Sequence, residues 1–403
     1  DDGGQFSMLN EGGGIKSTIA EDLRRSTMNE EKRDDRFAKV DGEDLRRSTT
    51  DGDDRDDKSV KQKTPLKTSD VTLFPNFHQQ DDDQYLSQKT QDLIATLPTE
   101  SDSFAAELCQ YQGFWFPKRL MQGILNCQNH FQAHDSDIFL VTSPRSGTTW
   151  LKALIFAIIN RKTYHPNMTQ TGHTHPLLTT NPHVLIPFLE FHLYLRTNNP
   201  DLSLFPSPRV FATHLPIISM PDSTKKHSGC KIVYLCRDPK DMFVSLWHFI
   251  NGFKKEKQGF NSIEESFEDF RRGMSIYGPF WEHMLGYYKE SLKTPETVIF
   301  LRFEELKNEP VKTLKKLADF IGYGFSKEEE NENVVSDMLK LCSFENLSNL
   351  EVNKNGNSSS GIENERYFRR GKVEDWKNFL SLDLAEQLDS ITQKKLEKQG
   401  LKF

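Results

Sequence analysis

Short apolar runs alternate with segments of helical periodicity along most of this chain. Runs typical of buried strands lie at 138–141, 210–213, 232–236 and 298–303. Helical patterns occur between and after them, for example at 314–320 and 384–395. Strands that alternate with helices usually pair in parallel, so the pattern predicts one α/β domain with a central, mostly parallel sheet flanked by helices.

The segment 1–70 does not share this pattern. It is dense in charged residues, has only Phe6 and Phe37 as aromatics, and repeats the text EDLRRST at 21–27 and 43–49. So little apolar surface cannot offset the entropy lost on ordering, and we expect a disordered, dispensable tail followed by a folded domain at 71–403. Arg-Arg-x-Thr sites at Thr27 and Thr49 leave a regulatory role open, and an over-extended gene model is a further alternative.

The first strand leads directly into a candidate phosphate loop. The text PRSGTTW at 144–150 places a tight glycine turn before an apolar helix, and unpaired backbone N–H groups at a helix start favour phosphate. The spacing is not that of a Walker A loop, because Thr148 stands where the Lys belongs and the cation, Arg145, precedes Gly147. A purely structural strand–turn–helix remains the alternative.

A second strand, at 231–236, ends in a comparable arrangement. Arg237 follows the strand, Asp238 and Pro239 suit a helix start, and Ser245 lies on the helix that follows. An Arg and a Ser placed in this way can grip a second phosphate. Alternatively, Arg237 is a surface residue paired with a neighbouring Asp.

Together these motifs resemble the plant cytosolic (soluble) sulfotransferases, which use 3′-phosphoadenosine-5′-phosphosulfate (PAPS). The loop of that family reads Pro-Lys-[Ser/Thr]-Gly-Thr-Thr-Trp, so Arg145 replaces the usual Lys. A third family motif, Arg-[Lys/Arg]-Gly before Asp-Trp-Lys, is matched at 369–371 and 375–377. The resemblance extends from about residue 71 to 403, and it implies a P-loop-like sulfotransferase fold.

The resemblance also implies which residues bind the co-substrate. The loop would hold the 5′-phosphosulfate, Arg237 and Ser245 the 3′-phosphate, and Trp150 and Phe344 would flank the adenine. The segment 353–370 would be a mobile loop that folds over the nucleotide. The implied co-substrate residues are Arg145, Ser146, Gly147, Thr148, Thr149, Trp150, Arg237, Ser245, Phe303, Phe344, Arg369, Arg370 and Gly371. Phe303 stands where the family usually has Tyr.

Sulfuryl transfer needs a base for the acceptor hydroxyl and stabilisation of the leaving phosphate. His214 follows the strand 210–213, and by itself it would more readily be a structural histidine. The match of 213–216 to the family motif Thr-His-x-Pro implies that His214 is the base, with Arg145 stabilising the leaving phosphate.

The resemblance implies that the acceptor is a small organic molecule with a hydroxyl group, and the sequence does not select one. Phenolic or flavonoid compounds, steroids and hydroxy-jasmonates are the classes that the resemblance implies. Aromatic residues that can line an apolar acceptor pocket, or simply belong to the core, are Phe188, Phe191, Tyr194, Phe249, Tyr277 and Phe280. Two rival functions remain: a nucleotide kinase, which the missing Walker Lys disfavours, and a non-catalytic nucleotide-binding protein.

Net charge and composition limit the classes of partner that the protein can bind. The net charge of −7 does not suggest a nucleic-acid partner, and no apolar run is long enough to span a membrane. Cysteines without C-x-x-C spacing fit a reducing cytoplasm, and we expect no metal at the histidines within 165–183. The family's dimer motif is matched at 377–386 only in its spacing and its end residues, Lys377 and Glu386, so we expect a monomer or a weak homodimer.

Overall fold

A parallel four-stranded sheet forms the centre of the computed structural model, which describes residues 86–101, 107–167, 174–226, 229–253, 261–358 and 361–403. The strands are β1 (Thr99–Ser101), β2 (Glu107–Tyr111), β3 (Phe114–Pro117), β4 (Ile138–Thr142), β5 (Val210–Thr213), β6 (Lys231–Cys236) and β7 (Val298–Arg302). The central sheet has the order β5-β4-β6-β7, and all its pairings are parallel. The predicted tail lies outside the described residues.

Alternation along β4 explains why this sheet is covered on both faces. Ile138 and Leu140 point into one apolar cluster, whereas Phe139 and Val141 point into the other, and all four are buried. Strands buried on both faces are typical of parallel sheets with helices on each side. The predicted α/β class is therefore confirmed.

Helices connect and cover the strands. They are α1 (Gln88–Thr96), α2 (Met121–His130), α3 (Thr148–Asn160), α4 (Pro182–Leu185), α5 (Asp222–Lys226), α6 (Pro239–Asn251), α7 (Ile263–Arg271), α8 (Phe280–Lys293), α9 (Phe303–Asn308), α10 (Pro310–Phe320), α11 (Lys327–Asn331), α12 (Val334–Leu341), α13 (Phe344–Asn349), α14 (Glu351–Lys354) and α15 (Leu382–Lys395). The last predicted strand ends one residue early, because Phe303 already begins α9.

A small antiparallel sheet, β1-β2-β3, was not predicted. It is joined to the loop before α8 by two backbone hydrogen bonds, from Trp115 N to the Gly278 carbonyl at 2.7 Å and from Tyr277 N to the Trp115 carbonyl at 2.8 Å. This attachment fixes Tyr277, whose φ of 61° is unusual for a bulky residue.

The predicted loop at 353–370 contains local structure. Its first residues complete α14, and a 3-10 turn spans Asn364–Tyr367. Asn353 is buried and donates to the Leu347 carbonyl at 2.8 Å. The prediction of a plain loop was therefore wrong at both of these places. Within the described ranges, no helix combines the length and apolar character needed to cross a bilayer.

Candidate active site

The turn between β4 and α3 brings a helix N-terminus to a cavity at the carboxyl edge of the sheet. Gly147 has φ of 106°, and a Cβ atom there would lie 2.8 Å from the Phe303 ring. Both the backbone angle and the lack of space for a Cβ therefore require glycine. The Thr142 and Thr148 hydroxyls hydrogen-bond at 2.6 Å across the turn. The loop thus presents the unpaired N–H groups of the first turn of α3 to the cavity.

Arg145 has a constrained position in this turn. Its φ is 67°, its Nε donates to Ser245 Oγ at 3.3 Å, and its guanidinium carbon lies 4.3 Å from the centre of the Phe249 ring. Burial, reinforced by the charges of Arg237 and Arg369, lowers the pKa of Arg145 to about 9. The side chain is therefore a desolvated cation within a group of cations, which favours an anionic ligand.

Arg237 follows β6 as predicted, and α6 begins as predicted, with Asp238 capping Lys240 N at 2.9 Å and Pro239 in the first turn. The buried Arg237 donates to the Lys372 carbonyl at 2.8 Å and to the Arg145 carbonyl at 3.3 Å. Its Nε atom is buried and has no partner among the described residues. A ligand oxygen would satisfy that atom.

The C-terminal motif reaches the same cavity through Arg369, Arg370 and Gly371. Arg370 donates to the buried Asp375 carboxylate at 2.7 Å, and Arg369 forms an ion pair with it at 2.7 Å. Gly371 has φ of 60°, and a Cβ there would lie 2.5 Å from the Phe344 ring. The motif therefore needs glycine so that its backbone can pack against Phe344.

Aromatic rings line the same cavity beside its cations. Trp150 and Phe303 meet edge to face with centroids 5.4 Å apart, and the Lys307 ammonium lies 5.3 Å from the centre of the Trp150 ring. Phe344 also lines the cavity. Flat apolar surfaces beside cations are suited to a nucleotide base and its phosphates.

His214 lies at the carboxyl end of β5 and is held from three sides. Its Nδ1 donates to the Thr142 carbonyl at 2.7 Å, its backbone N donates to Glu190 Oε1 at 2.8 Å, and its carbonyl accepts from His283 Nε2 at 2.9 Å. Burial lowers the pKa of His214 to about 3, although the Thr142 bond opposes the shift. The imidazole is therefore neutral at pH 7, with its proton on Nδ1.

The structure brings the predicted residues together. Every predicted co-substrate residue except Ser146 lines one cavity, and His214 lines it too. Ser146 is fully buried in the turn beneath. Among the predicted acceptor residues, Phe188, Phe191 and Tyr277 surround His214, with ring centroids 4.7, 6.2 and 5.4 Å away, respectively.

The other predicted acceptor residues lie elsewhere. Phe249 lines the cavity beside Arg145, whereas Tyr194 packs on Phe131 and Phe280 packs on Phe270 in the core. The clustered histidines take separate positions, and His173 lies outside the described residues. No group of three or more metal-ligating side chains converges within the described part of the chain.

Sequence reasoning missed several residues of the cavity wall. These are Pro144, His183, Lys307, Leu347, Tyr367 and Phe368. His183 was considered only as a metal ligand, although the text Asn181-Pro182-His183 signals a capped helix start that aims the histidine inward.

Comparison with known proteins identifies the family. The sulfotransferase domain matches residues 135–400. The chain is 46% identical over 321 residues to cytosolic sulfotransferase 5 of Arabidopsis thaliana, covering 79% of this chain and 97% of that protein. It is 47% identical over 321 residues to cytosolic sulfotransferase 12 of the same plant, covering 80% and 96%, respectively.

Solved structures agree. A putative steroid sulphotransferase of Arabidopsis thaliana superimposes with a TM-score of 0.63 at 42% identity, covering 79% of this chain and 98% of that one. A mouse sulfotransferase complexed with PAP shares the fold, with a TM-score of 0.56 at 24% identity over 73% of this chain and 95% of that one. The chain therefore belongs to the sulfotransferase family, in its plant cytosolic branch, and is a PAPS-dependent transferase.

Proposed function

We propose that this enzyme moves the sulfuryl group of PAPS to the hydroxyl of a small organic acceptor, with His214 as the general base. The main support for the proposal is one hydrogen bond: His214 Nδ1 donates its proton to the Thr142 carbonyl at 2.7 Å. The neutral ring then has its lone pair on Nε2, for which the described residues provide no hydrogen-bond partner. A histidine held in one tautomer beside an anion site is the arrangement that a base requires.

The cavity offers matching contacts for the co-substrate. The turn at 143–147 and the start of α3 suit the 5′-phosphosulfate, and the unpaired Nε of Arg237 suits the 3′-phosphate, together with Ser245, Arg369 and Arg370. Trp150, Phe303 and Phe344 provide apolar surfaces for adenine. Phe303 lacks the usual hydroxyl, so its role would be ring packing alone.

Each proton and electron pair of the transfer step can be assigned to a group of this site. His214 Nε2 takes the acceptor hydroxyl proton while the acceptor oxygen forms a bond to sulfur. The bond from sulfur to the bridging oxygen breaks, and its electron pair remains on the 5′-phosphate. Arg145 and the backbone N–H groups of the loop stabilise that charge, which is how an enclosed site accelerates such a step. The products are a sulfate ester and adenosine 3′,5′-bisphosphate.

The acceptor side is apolar. Phe188, Phe191 and Tyr277 surround His214, which favours a planar or ring-containing acceptor of the phenolic, flavonoid, steroid or hydroxy-jasmonate class. The similarity to a putative steroid sulphotransferase supports the steroid among these. We further propose a cytoplasmic enzyme, monomeric or weakly dimeric, whose activity resides in residues 71–403 and needs no metal, nucleic acid or membrane.

The test is His214→Ala, with the exposed His130→Ala as its matched control. We expect turnover with labelled PAPS to fall about 100-fold or more for His214→Ala, the usual scale for a positioned base, while bisphosphate binding persists. The loss should be larger for aliphatic alcohols than for phenols, which ionise more readily. Near-normal turnover of a folded His214→Ala protein on both acceptor types would refute the assignment.

A second candidate rests on Arg145. Its contacts with Ser245 and Phe249 hold a planar guanidinium where the family usually has a compact ammonium. A protein that binds the bisphosphate but transfers no sulfuryl group to any acceptor in a broad panel would be a nucleotide-binding protein. Recovery of transfer in Arg145→Lys would identify the substitution as the cause.

A further inference from the structure

Lys152 is a buried amine directly behind the phosphate loop. It lies on α3, its side chain has no solvent exposure, and no carboxylate among the described residues forms an ion pair with it. Nζ donates to the Ile186 carbonyl at 2.8 Å, lies 3.2 Å from His183 Nδ1, and lies 3.6 Å from the centre of the Phe188 ring. Burying an amine without a carboxylate partner costs free energy of folding, and a functional role of Lys152 would account for that cost.

The contacts of Lys152 determine the tautomer of His183. An ammonium has three N–H groups and no lone pair, and in this form Lys152 donates one each to the Phe188 ring, the Ile186 carbonyl and His183 Nδ1. The charge of Glu190 favours the ammonium and raises the pKa of Lys152, although burial lowers it more. His183 Nδ1 is therefore an acceptor. Burial and the charge of Lys152 hold the pKa of His183 well below its usual value, so the ring is neutral and its proton is on Nε2.

The Nε2 proton of His183 points to the phosphate loop. Nε2 lies 2.9 Å from Thr149 Oγ1, and Thr149 belongs to the first turn of α3 and lines the cavity. The hydroxyl of Thr149 therefore accepts a hydrogen bond from behind. Its own proton is left to point away from His183, and a hydroxyl that accepts one hydrogen bond becomes a better donor in the next.

We propose that His183 is a positioning residue of the co-substrate site, which directs the Thr149 hydroxyl proton toward the 5′-phosphosulfate through the chain Lys152–His183–Thr149. This inference rests on the proposed function, because it needs a phosphate at the loop. His183 acts through Thr149 and takes no part in proton removal from the acceptor.

Packing fixes His183 in this orientation. Its backbone N donates to Asn181 Oδ1 at 2.9 Å, and its ring stacks with Tyr367 and with Phe188, with ring centroids 4.1 Å and 5.7 Å away, respectively. Tyr367 precedes the Arg369–Gly371 motif, so His183 lies where the phosphate loop meets the C-terminal wall of the cavity. Stacking on two aromatic neighbours and hydrogen bonds at both nitrogens hold the ring in this orientation.

The test uses variants at position 183 that keep either an aromatic ring or an N–H donor, but not both. His183→Phe keeps a flat ring for stacking and has no donor. His183→Gln restores an N–H that reaches Thr149, and Thr149→Val removes the hydroxyl. Calorimetry measures Kd for adenosine 3′,5′-bisphosphate and for adenosine 3′-phosphate, which has no group for the loop to hold.

We expect His183→Phe to weaken bisphosphate binding about 10-fold, the size of one hydrogen bond to a charged group, and to leave adenosine 3′-phosphate binding unchanged. His183→Gln should recover most of the loss, and the double variant with Thr149→Val should bind as Thr149→Val alone does. Equal weakening for both nucleotides, additive effects in the double variant, or no effect of His183→Phe would each overturn the proposal.

A spectroscopic measurement gives an answer even if His183→Phe does not fold. Imidazole 15N shifts of the full chain distinguish the two neutral tautomers, and His183→Gln assigns the signal. The Nε2–H tautomer is required, and an Nδ1–H or doubly protonated ring would refute the inference. A wild-type protein that fails to bind the bisphosphate at all would refute the proposed function instead.

Discussion

Asp375 should contribute to stability out of proportion to its size, because it serves two arginines of the cavity wall. Its side chain is 1% exposed, and its Oδ1 accepts from Arg370 Nη1 at 2.7 Å and from Asn378 Nδ2 at 3.0 Å, while its Oδ2 forms an ion pair with Arg369 Nη1 at 2.7 Å. Burial raises the pKa of Asp375, but the bonds from Arg370 and the charge of Arg369 outweigh it, and the net direction is downward. The carboxylate is therefore ionised in the folded enzyme.

Asp375→Asn keeps the shape and removes the charge. Breaking a fully buried pair costs about 3–5 kcal/mol, but Arg370 is 49% exposed and recovers part of its hydration. We therefore expect the free energy of unfolding to fall by about 2–3 kcal/mol in urea denaturation at pH 7.5. The matched control is Glu363→Gln, whose partner Arg366 lies three residues away at 2.6 Å but whose carboxylate is 53% exposed, so its cost should stay below about 0.5 kcal/mol.

The pH dependence provides an independent check. A carboxyl group with a lowered folded-state pKa contributes stability above its unfolded pKa, and that stability is lost only as the pH falls through the folded pKa. The difference between wild type and Asp375→Asn should therefore be the same at pH 7.5 and at pH 5.5. Equal stability of Asp375→Asn and Glu363→Gln, or a difference that shrinks markedly by pH 5.5, would refute this reasoning.

Three further predictions follow from the same structure. Arg237→Ala should weaken binding of adenosine 3′,5′-bisphosphate about 10-fold or more, with a much smaller effect on adenosine 5′-phosphate; equal weakening in calorimetry would make Arg237 merely structural. Stability should fall by about 4–5 kcal/mol from pH 7.5 to 6, because six histidines have lowered pKa values and take up protons only on unfolding, namely His175, His183, His192, His214, His248 and His283; a flat profile in urea denaturation would contradict this. Deleting residues 1–69 should leave melting temperature and transfer rate unchanged, because that segment has little apolar surface to bury; a clear loss of either would contradict this.

The central sheet was predictable because its signal is local. Runs such as 138–141 and 232–236 are apolar throughout, and each is followed by a turn whose residues permit few alternatives. The cap of α6 at Asp238 was equally readable. By contrast, β1, β2 and β3 are only three to five residues long and share no common pattern, since β1 is polar and β3 is apolar, and their position depends on contacts such as that between Trp115 and Gly278. Tertiary contacts of this kind leave no periodic pattern.

The same distinction applies to the site. The loop, Arg237 and the C-terminal motif were found because each has a motif, although they are far apart in the chain. His183 and Lys152 were missed because their significance depends on a 3.2 Å contact between two elements. The constraint on Gly371 was also hidden, since it arises from the Phe344 ring and not from a neighbour in sequence.

The buried arginines of the cavity determine which charges a ligand should carry. Burial lowers the pKa of both Arg145 and Arg237, and Arg369 lowers them further, so the cavity collects positive charges that repel one another. Asp375 offsets part of this at one end, and Asp241, 3.8 Å from Arg237, offsets part at the other. Neither carboxylate pairs with Arg145, whose side chain contacts the Ser245 hydroxyl and the Phe249 ring instead. A ligand with a phosphate at each end would relieve the remaining repulsion, whereas a ligand with one phosphate would leave part of it, so we expect the cavity to bind bisphosphates more tightly than monophosphates.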